Sequence, residues 1–191
     1  MKMKCAECAK SNACYQGDSC YDQGWVRPEY EDPVNLKILK IASRLEAEHY
    51  MQWTRLQELI MFAKEMGYHR LGMAFCVGLA KEAGVLSSIL SKDFVVESSI
   101  CKVGGVDKKT FGLPNVVDGR YEACCNPIGQ AKYLAEVGTD LNIIVGLCVG
   151  HDILFTKYSE APVTTLVVKD RVLAHNPLGA IYSNYWLKKL K

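Results

Sequence analysis

Hydrophobic residues follow a helical pattern between residues 33 and 67. Asp32-Pro33 opens this pattern, with aspartate suited to the N-cap and proline to the first turn. Apolar residues then recur at helical spacing until Gly67, which is expected to end the helix. The pattern fits one long helix or two helices separated near His49–Trp53.

Short apolar runs alternate with helical segments in the rest of the chain. The predicted strands are Leu71–Cys76, Phe94–Cys101, Leu141–Cys148 and Val163–Val168. The predicted helices are Leu79–Leu90, Asn126 to about Val137, His151–Tyr158 and Asn176–Lys188. This alternation predicts an α/β fold: a small doubly wound, Rossmann-like parallel sheet of about four strands in the order 2-1-3-4.

Residues 1–32 show almost no apolar periodicity, so this segment cannot build a core unaided. It holds four cysteines at the spacing C-x2-C-x5-C-x5-C, which we call the N-terminal knuckle: Cys5, Cys8, Cys14 and Cys20. Thiolates so closely spaced favour a metal, because binding can supply the folding energy that a core does not. We therefore predict a cysteine-rich metal-binding segment at 1–32, and a helical segment plus α/β domain at 33–191.

The identity of that metal stays open between two alternatives. Four ligands within one compact wrap favour an iron–sulfur cluster of the 4Fe-4S type. Zinc also accepts four thiolates, although zinc sites usually present two C-x2-C halves separated by a longer loop.

Two further cysteines end predicted strands in the same way. Cys76-Val77-Gly78 follows the first strand and Cys148-Val149-Gly150 follows the third, each before a helix. A thiol beside a helix N-terminus is favoured as thiolate. Cys101 ends the second strand and Cys125 precedes a helix start, so all four are expected at one crevice as a cofactor-binding site.

Other interpretations of these residues stay open. A single cysteine in a strand is more often a small buried hydrophobe. Cys124 is expected either to pack in the core or to replace Cys125 as the working thiol. A different class of function is an enzyme with Cys148 as nucleophile, assisted by His151, and with a structural zinc knuckle. His151 is equally well explained as a capping or surface residue.

Composition and missing motifs exclude several functions. Hydrophobic residues make up 49% and charged residues 23%, with a net charge of +2 and no basic face, so no nucleic-acid partner is expected. No nucleotide-binding glycine motif is present. No signal peptide or membrane-spanning stretch is present, which predicts a cytoplasmic protein with no membrane partner. Close-spaced cysteines in a reducing compartment point to metal or redox chemistry.

Eight short motifs carry a resemblance to a known family: Cys5–Cys8, Ala74–Leu79, Ile100–Gly104, Cys125–Ile128, Gly146–Asp152, Ala161–Thr164, Val168–Arg171 and His175–Pro177. Together they resemble an uncharacterised, cysteine-rich family of anaerobic bacteria and archaea that is labelled "predicted metal-binding protein". The resemblance covers nearly the whole chain. It implies metal binding, and an anaerobic host suits iron–sulfur chemistry.

The sequence as a whole therefore predicts a metal-binding, iron–sulfur protein with a redox or metal- and sulfur-handling role. Its expected partner is a redox protein. The cysteine-nucleophile enzyme is the alternative.

Overall fold

The computed structural model describes residues 5–8, 11–18 and 24–191 of the chain. The chain divides into two compact units, Met1–Glu48 and His49–Lys191. The first unit contains a 3-10 turn, two short helices and most of a longer helix. In chain order these are Cys5–Glu7, α1 (Ser11–Tyr15), α2 (Arg27–Glu31) and α3 (Pro33–His49), whose last residue belongs to the second unit. Asp32 Oδ1 caps α3, as the sequence predicts, by accepting from the Val34 and Asn35 N–H groups at 2.9 and 3.0 Å.

The long helical pattern forms two helices rather than one. The second is α4 (Arg55–Met66), and it begins at Thr54, whose extended backbone cannot continue α3. Thr54 and Gln57 form a reciprocal capping box, which satisfies orphan N–H groups at this start. Gly67, with a φ of 77°, ends α4 as predicted.

The second unit is built on a four-stranded, all-parallel sheet in the order β2-β1-β3-β4. Its strands are β1 (Arg70–Phe75), β2 (Val95–Ile100), β3 (Leu141–Val145) and β4 (Val163–Val167). This confirms both the predicted fold class and the predicted strand order. Phe75 at the end of β1 pairs with Ile100 of β2 and Val145 of β3, so three strands end at one level.

Helices cover both faces of this sheet: α4, α5 (Ala80–Leu90), α6 (Pro127–Glu136) and α7 (His151–Tyr158). Side chains alternate along each strand, so neighbouring residues enter different cores. Met73 and Ile143 lie in the core that includes residues of α4 and α5. Ala74 and Ile144 lie in the core that includes residues of α6 and α7.

Two predicted boundaries are wrong. β3 ends at Val145 rather than Cys148, because Gly146 has a φ of 69° and turns the chain out of the sheet. The predicted helix over 176–188 is two short helices, α8 (Gly179–Tyr182) and α9 (Asn184–Leu190). Ser183 between them is extended, with φ −96° and ψ 117°, and this interrupts the helical hydrogen bonds.

Within the described residues, the helices are all too short or too polar to cross a lipid bilayer.

Candidate thiolate site

Four cysteines lie near the edge of the sheet where the strands end, and we call this set the thiol edge: Cys76, Cys101, Cys125 and Cys148. The order of the strands reverses between β1 and β3, and in open α/β sheets this is where ligands bind. Cys76 directly follows β1 and Cys101 directly follows β2. Both belong to one buried cluster, against which Cys125 packs.

Backbone and side-chain hydrogen bonds fix the segment that carries Cys125 against the end of β2. The Asn126 N–H donates to the Cys101 carbonyl oxygen at 2.8 Å. Asn126 Nδ2 donates to the Val103 carbonyl at 3.2 Å, and Lys102 Nζ donates to the Ala123 carbonyl at 2.6 Å. These three hydrogen bonds therefore join residues 101–103, which include Cys101, to residues 123–126, which include Cys125.

A buried amide lies beneath this frame. Gln130 of α6 is fully buried, and its Nε2 donates to the Ser99 carbonyl at 2.6 Å and to the Phe75 carbonyl at 3.4 Å. It thus joins the end of β1 to the end of β2, one residue before Cys76 and two residues before Cys101. Gln130 Oε1 and Ser99 Oγ have no hydrogen-bond partner among the described residues. The role of Gln130 was not predicted, although a glutamine on the apolar face of a helix indicates a buried hydrogen bond to a neighbouring element.

The Cys101 and Cys125 thiols share a hydrogen bond, and it separates their acidities. The bond from Cys101, together with the charges of Lys102 and His151, lowers the pKa of Cys125 to about 5 against the opposing effect of burial. The same bond and burial raise the pKa of Cys101. The Val77 N–H, 3.3 Å from Cys101 Sγ, opposes that rise. One proton is therefore held on Cys101 while Cys125 is thiolate at neutral pH.

Cys148 has a cation as its partner. Arg171 Nη2, from the loop after β4, donates to Cys148 Sγ at 2.9 Å. This hydrogen bond, with the charges of Cys148, Cys76 and Cys125, raises the pKa of Arg171. The loop is shaped by Asp170, whose Oδ1 accepts from the Val172 and Leu173 N–H groups at 2.9 and 2.8 Å. Arg171 stands in one of the motifs that carry the family resemblance, but no sequence pattern links it to a cysteine 23 residues earlier.

His151 begins α7, as predicted. Its N–H donates to the Cys148 carbonyl at 2.9 Å, while its charge acts on Cys125. This backbone bond belongs to the turn, so the predicted assistance of Cys148 by the His151 side chain stays a prediction.

Cys124 stands apart from the thiol edge. It is buried, with 4% of its surface exposed, and its N–H donates to the Val106 carbonyl at 2.7 Å. This position agrees with the packing interpretation of Cys124.

The N-terminal knuckle is described only in part. Cys5, Cys8 and Cys14 are exposed, and the Cys8 N–H donates to the Cys5 carbonyl at 3.2 Å across a 3-10 turn. Cys20 lies outside the described residues.

The donor chemistry of the thiol edge suits a thiophilic centre. Thiolates are the ligands of iron–sulfur clusters and of many zinc sites, and N–H groups directed at the sulfurs tune such centres. As the side chains stand in residues 5–8, 11–18 and 24–191, no three histidine, cysteine, aspartate or glutamate side chains gather closely enough to hold a metal ion. Binding would therefore require the cysteine side chains to rotate toward a common centre.

The fold and the site define a doubly wound α/β protein with a cysteine-rich strand-end edge. The chain belongs to the family described as "Protein of unknown function (DUF1847)", which matches residues 20–166. It is also 55% identical over 190 residues to "Uncharacterized protein MJ0455" of Methanocaldococcus jannaschii, an alignment that covers 98% of each chain. The resemblance inferred from the sequence motifs to a family of unknown function is thereby confirmed.

Proposed function

We propose that the protein is a thiolate metal-binding protein, with Cys76, Cys101, Cys125 and Cys148 as ligands of an iron–sulfur cluster and the N-terminal knuckle as a second ligand set. The observation that carries this proposal is the placement of four thiols from four chain segments near one edge of a parallel sheet. Zinc is the alternative metal, since it takes the same donors. Its role would be redox chemistry or the handling of metal or sulfur in the cytoplasm, with a redox protein as partner.

The charges around the thiol edge support this proposal. Several thiolates in one site repel each other unless cations offset their charge. Arg171 contacts Cys148, and Lys102 and His151 act on Cys125. Lys169 Nζ lies over Gly78, where an added Cβ would meet it at 3.4 Å and Cys76 Sγ at 4.0 Å. Gly78 thus leaves room for a cation beside Cys76.

Metal analysis of anaerobically purified, full-length protein tests the proposal. We expect a brown protein that contains iron and acid-labile sulfide. Cys148→Ser and Cys125→Ser should each lower the metal content of the edge, and Cys5→Ser with Cys8→Ser should lower that of the knuckle. Cys124→Ser is the matched control, because this thiol neighbours Cys125 but lies outside the edge.

Two results would contradict parts of the proposal. A colourless protein with zinc and no sulfide would replace the cluster by the zinc alternative. Unchanged metal content in the edge variants would leave the knuckle as the sole metal site.

The second candidate function is an enzyme with a nucleophilic cysteine, and the low pKa of Cys125 favours it. A thiolate at neutral pH beside Lys102 and His151 is an activated nucleophile. This observation favours Cys125 over Cys148 for that role. Limited alkylation tests it: a nucleophile predicts one hyper-reactive thiol whose loss abolishes turnover while metal content is unchanged.

A further inference from the structure

We propose that Cys101 and Cys125 form a redox-active dithiol that closes reversibly into an intramolecular disulfide. The Cys125 side chain packs against the buried cluster that contains Cys101. The bond from the Asn126 N–H to the Cys101 carbonyl keeps the two backbones side by side. A disulfide needs the two backbones to lie close together, and this 2.8 Å bond brings the residue after Cys125 against Cys101 itself.

The frame around the pair explains why Cys125 stays in place. Asn126 Oδ1 accepts from the Gly129 N–H at 2.8 Å and so begins α6. Gly129 leaves room for this contact, because an added Cβ would lie 2.4 Å from Asn126 Nδ2. Lys102 adds its bond to Ala123 on the other side. The segment of Cys125 is therefore anchored both before and after the cysteine.

The difference in burial between the two sulfurs assigns them different roles in disulfide formation. Cys101 is 2% exposed, whereas Cys125 is only partly buried. A small oxidant from solvent therefore reaches Cys125 first, and Cys101 is the resolving thiol. The Val77 N–H, 3.3 Å from Cys101 Sγ, stabilises the negative charge that develops on that sulfur as it loses its proton to attack.

The co-reactant is a low-molecular-weight disulfide. The Cys125 thiolate attacks one sulfur of this disulfide, which breaks its S–S bond and releases one small thiolate. Cys101 loses its proton and attacks Cys125 Sγ, which breaks the mixed disulfide and releases the second thiolate. The protein loses two electrons and the one proton of Cys101, and the small disulfide becomes two thiolates, one of which takes that proton while the other is protonated by solvent.

The disulfide would also regulate the proposed metal site, and this consequence rests on the proposed function. Closing the bond removes two of the four ligands of the thiol edge, so metal loading and oxidation would exclude each other.

Peptide mapping tests the dithiol in the metal-free, full-length protein. The chelator-treated protein is incubated with glutathione disulfide and reduced glutathione in varied ratios, blocked with N-ethylmaleimide and digested with trypsin. Cys101 then lies in the peptide Asp93–Lys102, and Cys125 in Tyr121–Lys132 together with Cys124. We expect these two peptides to be linked in wild type and equally in Cys124→Ser, and the link to be lost when reduced glutathione is in excess.

The variants separate the two tasks. Cys101→Ala should accumulate a stable glutathione adduct on Cys125, and Cys125→Ser should lose the link and slow modification of Cys101 at least tenfold.

The inference is overturned if no link forms while Cys125 carries glutathione, or if Cys101 links to Leu71–Lys81, the peptide of Cys76. Metal content is measured separately on anaerobic protein. A link without metal therefore refutes only the metal site, and metal without a link refutes only the dithiol.

Discussion

The thiol edge contains two cysteine contacts that differ in burial and in partner. Cys101 and Cys125 meet as two acids inside a hydrogen-bonded frame, and one of them is almost fully buried. Cys148 meets the guanidinium of Arg171, which is exposed on a loop. In the first contact two acids compete for one proton, whereas in the second a sulfur accepts a hydrogen bond from a permanently charged group.

This difference decides which contact has the larger chemical effect. Two neighbouring acids cannot both ionise easily, so their pKa values move apart by several units. An exposed ion pair is screened by water and salt, and such pairs contribute about 0–1 kcal/mol. We therefore expect large effects of mutations around Cys101 and Cys125, and small effects around Cys148.

The largest effect is expected from the amide beneath the first contact. Gln130→Met keeps the volume but removes both bonds to the strand-end carbonyls, and it should lower the free energy of unfolding by about 1–3 kcal/mol. Urea denaturation of metal-free protein measures this. Arg171→Met is the control from the second contact and should cost less than about 0.5 kcal/mol. Equal losses in the two variants would contradict the comparison.

A smaller but more specific effect is expected in the pH dependence of alkylation. The pKa of Cys125 is lowered to about 5, so its thiolate is present above that pH and is lost as the pH falls through it. An ordinary thiol reaches half-ionisation only near pH 8.5. At pH 6 Cys125 should react with iodoacetamide about tenfold faster than an ordinary cysteine, after allowance for the weaker nucleophilicity of a low-pKa thiolate.

This rate is best measured in the Cys124→Ser background, where the peptide Tyr121–Lys132 contains one thiol. Cys101→Ala provides the internal test, because it removes the hydrogen bond that lowers the pKa of Cys125 most. The reactivity of Cys125 should then shift toward higher pH. If the alkylation rate of Cys125 in the Cys124→Ser protein still rose through pH 8, the pKa of Cys125 would not be lowered by Cys101, and the prediction would be wrong.

Much of the fold could be predicted from the sequence, because the strands are short segments rich in apolar and β-branched residues that alternate with helical patterns. The strand order 2-1-3-4, taken as the one typical of a small doubly wound sheet, was confirmed. The end of β3 was missed because Gly146, with its φ of 69°, lies inside an apolar run that continues to Val149. The break at Ser183 was missed because serine is tolerated within helices.

The pairing of the site residues could not be predicted. Placement of Cys76 and Cys101 at strand ends followed from the pattern, but the contacts depend on loops whose course the pattern does not specify. Arg171 approaches Cys148 only because Asp170 and His175 shape their loop, with His175 Nδ1 accepting from the Asp170 N–H at 3.2 Å. Ala174 and His175 have φ values of 49° and 63°, which residue types other than glycine seldom adopt.

The smallest effect is expected from the second contact. Arg171→Leu removes the hydrogen bond and the positive charge at Cys148, and alkylation of Cys148 at pH 7 should slow about two- to fivefold because the attacking sulfur loses the exposed cation that donates to it. Arg171→Lys keeps the charge but not the planar group, so it should restore part of the rate. The difference between the leucine and lysine variants should shrink in 1 M salt, where the screening length falls to about 3 Å.

Cys125, measured in the same digests, should change less than Cys148, since its pKa is governed by the bond to Cys101 rather than by Arg171. If Arg171→Leu slowed Cys125 as strongly as Cys148, the four thiols would act as one electrostatic unit, and the division into two contacts would be wrong.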